Sequence, residues 1–381
     1  MIKGNYPLEE FSSRRTPFYF YDVPLLRETL DAVRQQLADR PEWRVHYAVK
    51  ANFNPQILRI IADAGLGADC VSGGEIRAAL DAGFAPESIV FAGVGKRDDE
   101  IEFGLNARIG RFNVESTAEL LVIDEIAGRL GREAAVSFRV NPDVGAHTHA
   151  NITTGLAENK FGIHHSQIED AIRLALSLPH ISFRGLHFHI GSQILDMSDF
   201  VALCNRINGY ITRLRLMGIK LTDINVGGGL GIEYEHPNHL PVADFKSYFD
   251  VFKRHLQTEC PVHFELGRSL VGPCGTLISR VLYVKDGLYK QFAILDASMT
   301  ELIRPALYQA YHRIENLSSN GPETKYDVVG PVCESSDVFG KGIVLNECRR
   351  GDFIAIRSTG AYGESMASNY NCRPLPESYF G

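Results

Sequence analysis

The feature that most constrains this chain is a rhythm. Between residues 25 and 267, short apolar runs alternate with longer stretches of helical spacing. The apolar runs lie at 44–49, 68–72, 89–92, 111–114, 135–140, 183–190, 221–226 and 263–266. Between them, 54–64, 74–82, 117–130, 168–178, 200–217 and 242–256 repeat Ile, Leu, Ala and Phe with helical periodicity. A short continuous apolar run fits a strand buried on both faces, and a helix after each one returns the chain to start the next strand in parallel. About eight such units predict a (β/α)8 TIM-like barrel. An open, doubly wound sheet is the competing arrangement, which strand count alone does not exclude.

After Gly267 the rhythm changes. Segments 276–284, 291–295, 326–330 and 352–357 are strand-like and are separated by turns such as Lys285-Asp286-Gly287 and Arg350-Gly351-Asp352. The expected organisation is a barrel over 26–267 and a C-terminal β-rich domain over 268–381. An N-terminal segment, 1–25, adds a strand at 17–21 to the β-rich domain. The length of 381 residues suits one large and one smaller domain.

Charge and cysteine usage narrow the partners. The net charge of -7, from 39 basic and 46 acidic residues, is spread without long like-charge runs. Nothing resembles the basic stripe of a nucleic-acid binder, so no nucleic-acid partner is expected. No apolar run approaches a membrane span, and MIKGNYPLEEFSSRR lacks the apolar core of a signal peptide, so a cytoplasmic protein without membrane contact is expected. The seven cysteines are scattered, odd in number and never in C-x-x-C spacing, which reads as reduced thiols.

In a parallel barrel, ligands gather at the carboxyl ends of the strands. Unusual polar residues cluster there: Lys50, Asp69 and Ser72, Arg139 and Asn141, His187 and His189, the Gly227-Gly228-Gly229 run, then Glu265 and Arg268. Lys50 follows an apolar HYAV run, so partial burial is expected to free its neutral amine for nucleophilic chemistry. A lysine snorkelling at a strand end is the plainer alternative. The glycine run can cradle a phosphate or simply form a tight turn, and it does not fit G-x-G-x-x-G. Glu265 suits a pyridinium nitrogen or an internal salt bridge to Arg268. The spacing of His187 and His189, repeated at His147 and His149, keeps a metal-dependent barrel hydrolase as a rival. No histidine pair on the first strand or aspartate on the last completes a ligand set, and no metal is expected.

Seven segments carry a resemblance in order along nearly the whole chain: YAVKAN (47–52), HFHIGSQ (187–193), GGGLGI (227–232), ELGRSLVG (265–272), LIRPALYQAYH (302–312), CESSD (333–337) and GAYG (360–363). Together they resemble the fold-type III decarboxylases that depend on pyridoxal 5'-phosphate, most closely the diaminopimelate decarboxylase family. The resemblance implies that Lys50 carries the cofactor as a Schiff base, that His189 stacks on its ring and that Glu265 pairs with the ring nitrogen. It places Ser192, Gly228, Gly229, Gly267, Arg268 and Tyr362 about the phosphate and adjoining substrate, and Asp69 and Arg139 as supports. Arg304, Tyr308, Arg268, Glu334 and Tyr362 are implied to hold the substrate. Cys333 returns a proton to Cα, reaching with Glu334 into the neighbouring subunit of a homodimer. The implied reaction converts meso-diaminopimelate to L-lysine and carbon dioxide. Decarboxylation of another basic amino acid or of carboxynorspermidine is the alternative within the class. Ser298, Thr300 and Cys372 depart from residues common in the family.

Overall fold

The structure is a computed structural model describing residues 4–141 and 160–381, so His147 and His149 lie outside the described residues. The chain divides into two compact units, Leu30–Gly231 with Asp244–Gly267, and Met1–Thr29 with Ile232–Ala243 and Arg268–Gly381.

The first unit holds β1 (Arg44–Ala48), β2 (Gly67–Cys70), β3 (Ile89–Phe91), β4 (Arg111–Val114), β5 (Ala134–Asn141), β6 (Ile181–His187), β7 (Asp223–Asn225) and β8 (Val262–Leu266). All neighbours pair in parallel in the order β4-β3-β2-β1-β8-β7-β6-β5. Pairing of β4 with β5, Phe112 opposite Val136, closes the ring and rules out the open sheet. Register decides which side chains meet: Glu265 on β8 lies opposite His46 on β1, and Ala48 lies opposite Asp69 on β2.

The intervening helices start where short polar side chains occupy backbone N–H groups. Ser72 accepts from the Glu75 N–H at 3.2 Å to begin Gly73–Ala82, and Ser116 accepts from the Glu119 N–H at 3.1 Å to begin Thr117–Leu130. Each cap contributes about 1 kcal/mol. Helix Asp98–Ala107 has little apolar periodicity, because only Ile101, Gly104 and Leu105 are buried, and the sequence reading passed over it. Helix Phe245–His255 packs inward through Tyr248, Phe249 and Phe252. Their rings meet Phe264 of β8 at centroid distances of 5.9, 5.0 and 5.2 Å. Burying each such ring is worth about 2 kcal/mol, which fixes β8 from outside the barrel while Glu265 faces inward. The first residues of β4 and β7 are tied by a bidentate pair, with Arg111 donating to both Asp223 oxygens at 2.6 Å.

The second unit is built on an eight-stranded sheet. Its path runs Ile314–Asn316, Phe353–Ile356, Gly275–Asp286, Gln291–Leu295, Glu323–Val329, Val338–Asn346. Phe18–Tyr21 pairs antiparallel with Gly275–Asp286 and parallel with Glu377–Phe380. Phe11, Phe18, Phe20, Ile278, Leu317, Phe353 and Ala355 form a core within this unit. Among the described residues no helix is long and apolar enough to cross a membrane.

Candidate active site

Inside the barrel the chemistry gathers on Glu265, a carboxylate only 7% exposed. Asn113 of β4 and Asn225 of β7 donate amide hydrogens to its Oε1 at 3.0 and 2.7 Å, and His187 Nε2 donates to Oε2 at 2.9 Å. The amide orientation of Asn225 is set in turn by its Oδ1, which accepts from the Gly227 N–H at 2.9 Å. Burial alone pushes the Glu265 pKa up, but His187, His189 and Lys50 outweigh it and hold the carboxyl well below the usual range. Glu265 is therefore an anion in a buried, fully built cradle. The salt bridge to Arg268 that the sequence allowed is not its partner set. Asn113 and Asn225 were missed, because neutral amides inside apolar strands give no signal until a carboxylate is placed beside them.

Lys50 sits just past β1 in a single 3-10 turn, Val49–Ala51. Its side chain is 44% exposed, so it is partly buried, and the strand before it ends at Ala48. Its Nζ lies 3.8 Å from Asp69 Oδ2, an ion-pair distance rather than a hydrogen bond. Burial and the charge of Glu265 push the Asp69 carboxyl up to about 8, with Lys50 pulling the other way. Lys50 and Asp69 thus share one electrostatic field with Glu265, and Asp69 Oδ1 is buried without a hydrogen-bond partner among the described residues. Arg139 of β5 donates to Glu115 Oε1 at 2.9 Å and stacks on Phe161 at 4.6 Å. Glu115, also missed in sequence, accepts from the Gly162 N–H through its other oxygen at 2.7 Å.

The two histidines do not share a strand face, because β6 stops at His187 and His189 lies beyond it. The Gly228 N–H donates to His189 Nδ1 at 3.3 Å, which leaves Nε2 to carry the hydrogen of the neutral ring. Burial, then Arg139 and Lys50, push its pKa well below the normal histidine value, so a neutral ring is available for stacking. Gly228 is required sterically, since a Cβ there would meet the Glu265 carbonyl oxygen at 1.9 Å, and Gly229 takes a left-handed φ of +116°. Ser192 is half-buried beyond β6, Gly267 is buried at the end of β8, and Ser72 serves as the helix cap described above. Among the described residues no three His, Cys, Asp or Glu side chains are grouped to hold a metal ion.

The second unit contributes a separate cluster. Arg268 and Arg304 are each 6% exposed. Arg304 therefore lies beneath the surface. Both guanidiniums donate to one phenol oxygen, Tyr234 Oη, at 2.8 and 2.9 Å. Arg304 Nη1 also donates to His312 Nε2 at 2.8 Å. Arg268 lies over the Tyr362 ring at 4.9 Å. Tyr362 holds a left-handed φ of +57°, and Arg304 and Tyr308 stand at the two ends of the short helix Arg304–Tyr308. Cys333 and Glu334 are exposed, with Glu334 Oε1 accepting from Tyr370 Oη at 2.6 Å.

Residues 25–272 match the family model described as pyridoxal-dependent decarboxylase, pyridoxal binding domain. The chain belongs to the pyridoxal-dependent decarboxylases. Within that family it is 61% identical over 380 residues to a diaminopimelate decarboxylase of Bacteroides thetaiotaomicron, covering 99% of this chain and 98% of the relative. A crystal structure of diaminopimelate decarboxylase from Helicobacter pylori, complexed with L-lysine, superposes with a TM-score of 0.93 at 41% identity, covering 98% of this chain and 93% of that one. The enzyme of the same name from M. jannaschii, also with L-lysine, gives 0.90 at 36% identity, covering 100% and 90%. The barrel and its glycine run thus belong to a fold that the family uses for its cofactor.

Proposed function

We propose that this chain is a diaminopimelate decarboxylase, converting meso-diaminopimelate to L-lysine and carbon dioxide with pyridoxal 5'-phosphate held in the barrel. The observation that carries the reading is the buried Glu265 carboxylate, kept ionised in a cradle of three donors and sharing its field with Lys50. The residues fit the cofactor. An ionised carboxylate suits a protonated ring nitrogen, a neutral His189 suits a ring face, and the Asp69 Oδ1 and His187 Nδ1 atoms, buried without partners, mark polar capacity that the described chain does not use. When bound, pyridoxal phosphate supplies the electron sink that stabilises negative charge at the substrate Cα.

The protein residues supply the rest. Lys50 provides the amine that attaches the cofactor, and Asp69 holds that amine close to the barrel. Glu265 keeps the ring nitrogen protonated, and Gly228, Gly229, Gly267 and Ser192 offer close backbone and hydroxyl approach on the phosphate side. Arg139 is fixed by Glu115 and supports the barrel end. Arg304, Arg268, Tyr308 and Tyr362 recognise the acid group at the far end of the substrate. A bidentate guanidinium discriminates against substrates that leave it unpaired. Cys333 returns a proton to Cα and Glu334 grips the distal ammonium. Both are exposed on this chain, which supports their use across the interface of a homodimer. All seven cysteines are free thiols, in keeping with a cytoplasmic enzyme.

Purified protein loaded with pyridoxal phosphate and given meso-diaminopimelate should release lysine and carbon dioxide in equal amounts. Release of neither, by protein that holds the cofactor, would contradict the substrate assignment. Mixing inactive Lys50→Ala and Cys333→Ala chains should restore about a quarter of wild-type activity if sites are shared in a two-fold dimer. No restoration would contradict the shared site.

A further inference from the structure

Arg304 is buried, yet its hydrogen-bond partners among the described residues are both neutral, the Tyr234 phenol and the His312 imidazole. A buried guanidinium without a carboxylate is costly unless an anion arrives. The two neutral partners are themselves fixed. His312 Nδ1 donates to the Arg357 carbonyl at 2.9 Å, so Nε2 has a lone pair and accepts from Arg304. Burial and Arg304 push the His312 pKa down to about 3, which keeps this tautomer neutral.

Tyr234 Oη accepts from Arg268 and Arg304 together, which occupies both its lone pairs. Its own hydroxyl hydrogen then has no acceptor among the described residues. Three polar groups therefore meet at one phenol: the Arg304 and Arg268 guanidiniums, which share its oxygen, and the Tyr234 O–H itself. From this geometry we infer that Tyr234 is a specificity-determining residue, donating its hydroxyl hydrogen to the acid group of the ligand while its oxygen fixes both guanidiniums. His312 is a positioning residue that holds Arg304 from the other side. The inference rests on the proposed function for the identity of the acid-bearing ligand. It adds Tyr234, which lies outside the motifs singled out in the sequence, and His312, which closes the LIRPALYQAYH segment but was given no role there.

The test compares L-lysine with cadaverine, which is lysine without its carboxylate, by calorimetric titration into cofactor-loaded enzyme. Wild type should prefer lysine. Tyr234→Phe, which keeps the ring but removes the hydroxyl that would bond the acid group and that accepts from Arg268 and Arg304, should weaken lysine at least about tenfold and leave cadaverine within about twofold. His312→Gln retains an acceptor and should weaken lysine less than His312→Ala, again without moving cadaverine. If wild type prefers lysine and Tyr234→Phe weakens both ligands alike, or neither, the tyrosine assignment is overturned while the proposed function stands. If wild type does not prefer lysine, the acid-binding reading and this inference fall together.

Discussion

The barrel cluster and the guanidinium cluster meet the cost of buried charge in opposite ways. In the barrel, one anion receives three donors from three strands, and its charge is answered within its own unit. In the second unit, buried Arg304 is met among the described residues only by neutral acceptors, so positive charge is left over there. The first arrangement is a finished scaffold able to impose a protonation state on what lies against it. The second answers its buried charge with neutral groups alone among the described residues. One unit thus satisfies its buried charge internally, and the other leaves a charge that an anion would suit.

The largest effect should come from removing the Lys50 amine, the proposed point of cofactor attachment. Lys50→Ala should lower turnover by roughly a thousandfold or more and abolish the visible absorbance of the bound cofactor. An unchanged spectrum would break the barrel side of the comparison. Glu265→Gln should reduce turnover by about a hundredfold or more, since a neutral amide no longer fixes the ring-nitrogen proton. The same change should cost about 1–3 kcal/mol in stability, as the buried donors of Asn113, Asn225 and His187 lose an ionic acceptor. A rise in stability would show that the cradle is strained rather than finished.

Arg304→Ala should act differently. It should lower kcat/KM for the diacid by about 2–4 kcal/mol in transition-state terms and leave the cofactor spectrum untouched. Unfolding should be little affected or easier to resist, because a buried uncompensated charge is removed. If Arg304→Ala instead destabilised the fold as much as Glu265→Ala, the contrast between the two clusters would collapse.

The last test is a pH slope. Burial lowers the His312 pKa to about 3 and the His46 pKa to about 4, against 6.5 for a free imidazole. His46 stacks on His263, with its Nε2 2.8 Å from His263 Nδ1. Both depressed groups bind fewer protons folded than unfolded. Their stabilisation is complete above pH 6.5 and declines as pH falls from there toward 4 and then 3, by about 1.4 kcal/mol per pH unit for each histidine. Thermal melts from pH 7 to 4 should show this loss, and His46→Gln should flatten it. An acid slope that the substitution leaves unchanged would contradict neutral burial of that ring.

How much was legible in the sequence follows from the same contrast. The eight barrel strands are buried on both faces, so each reads as an apolar run. A lysine or glutamate at the end of such a run stands out, as Lys50 and Glu265 did. Val338–Asn346 was missed because only Phe339 and Leu345 are buried and it carries Gly340 and Gly342, so its pattern does not alternate. Ile314–Asn316 is too short to leave a signal. Tyr234 was invisible for another reason: its partners lie 34 and 70 residues away in the chain, and nothing local marks a tyrosine whose oxygen joins two guanidiniums.

The account rests on Lys50 as the point of attachment in the field of Glu265. Cofactor-loaded protein should be reduced with borohydride, digested and mapped by mass spectrometry. The account predicts a single pyridoxyl adduct on the peptide containing Lys50. A protein that holds the cofactor but carries the adduct on another lysine, or on none, would contradict it.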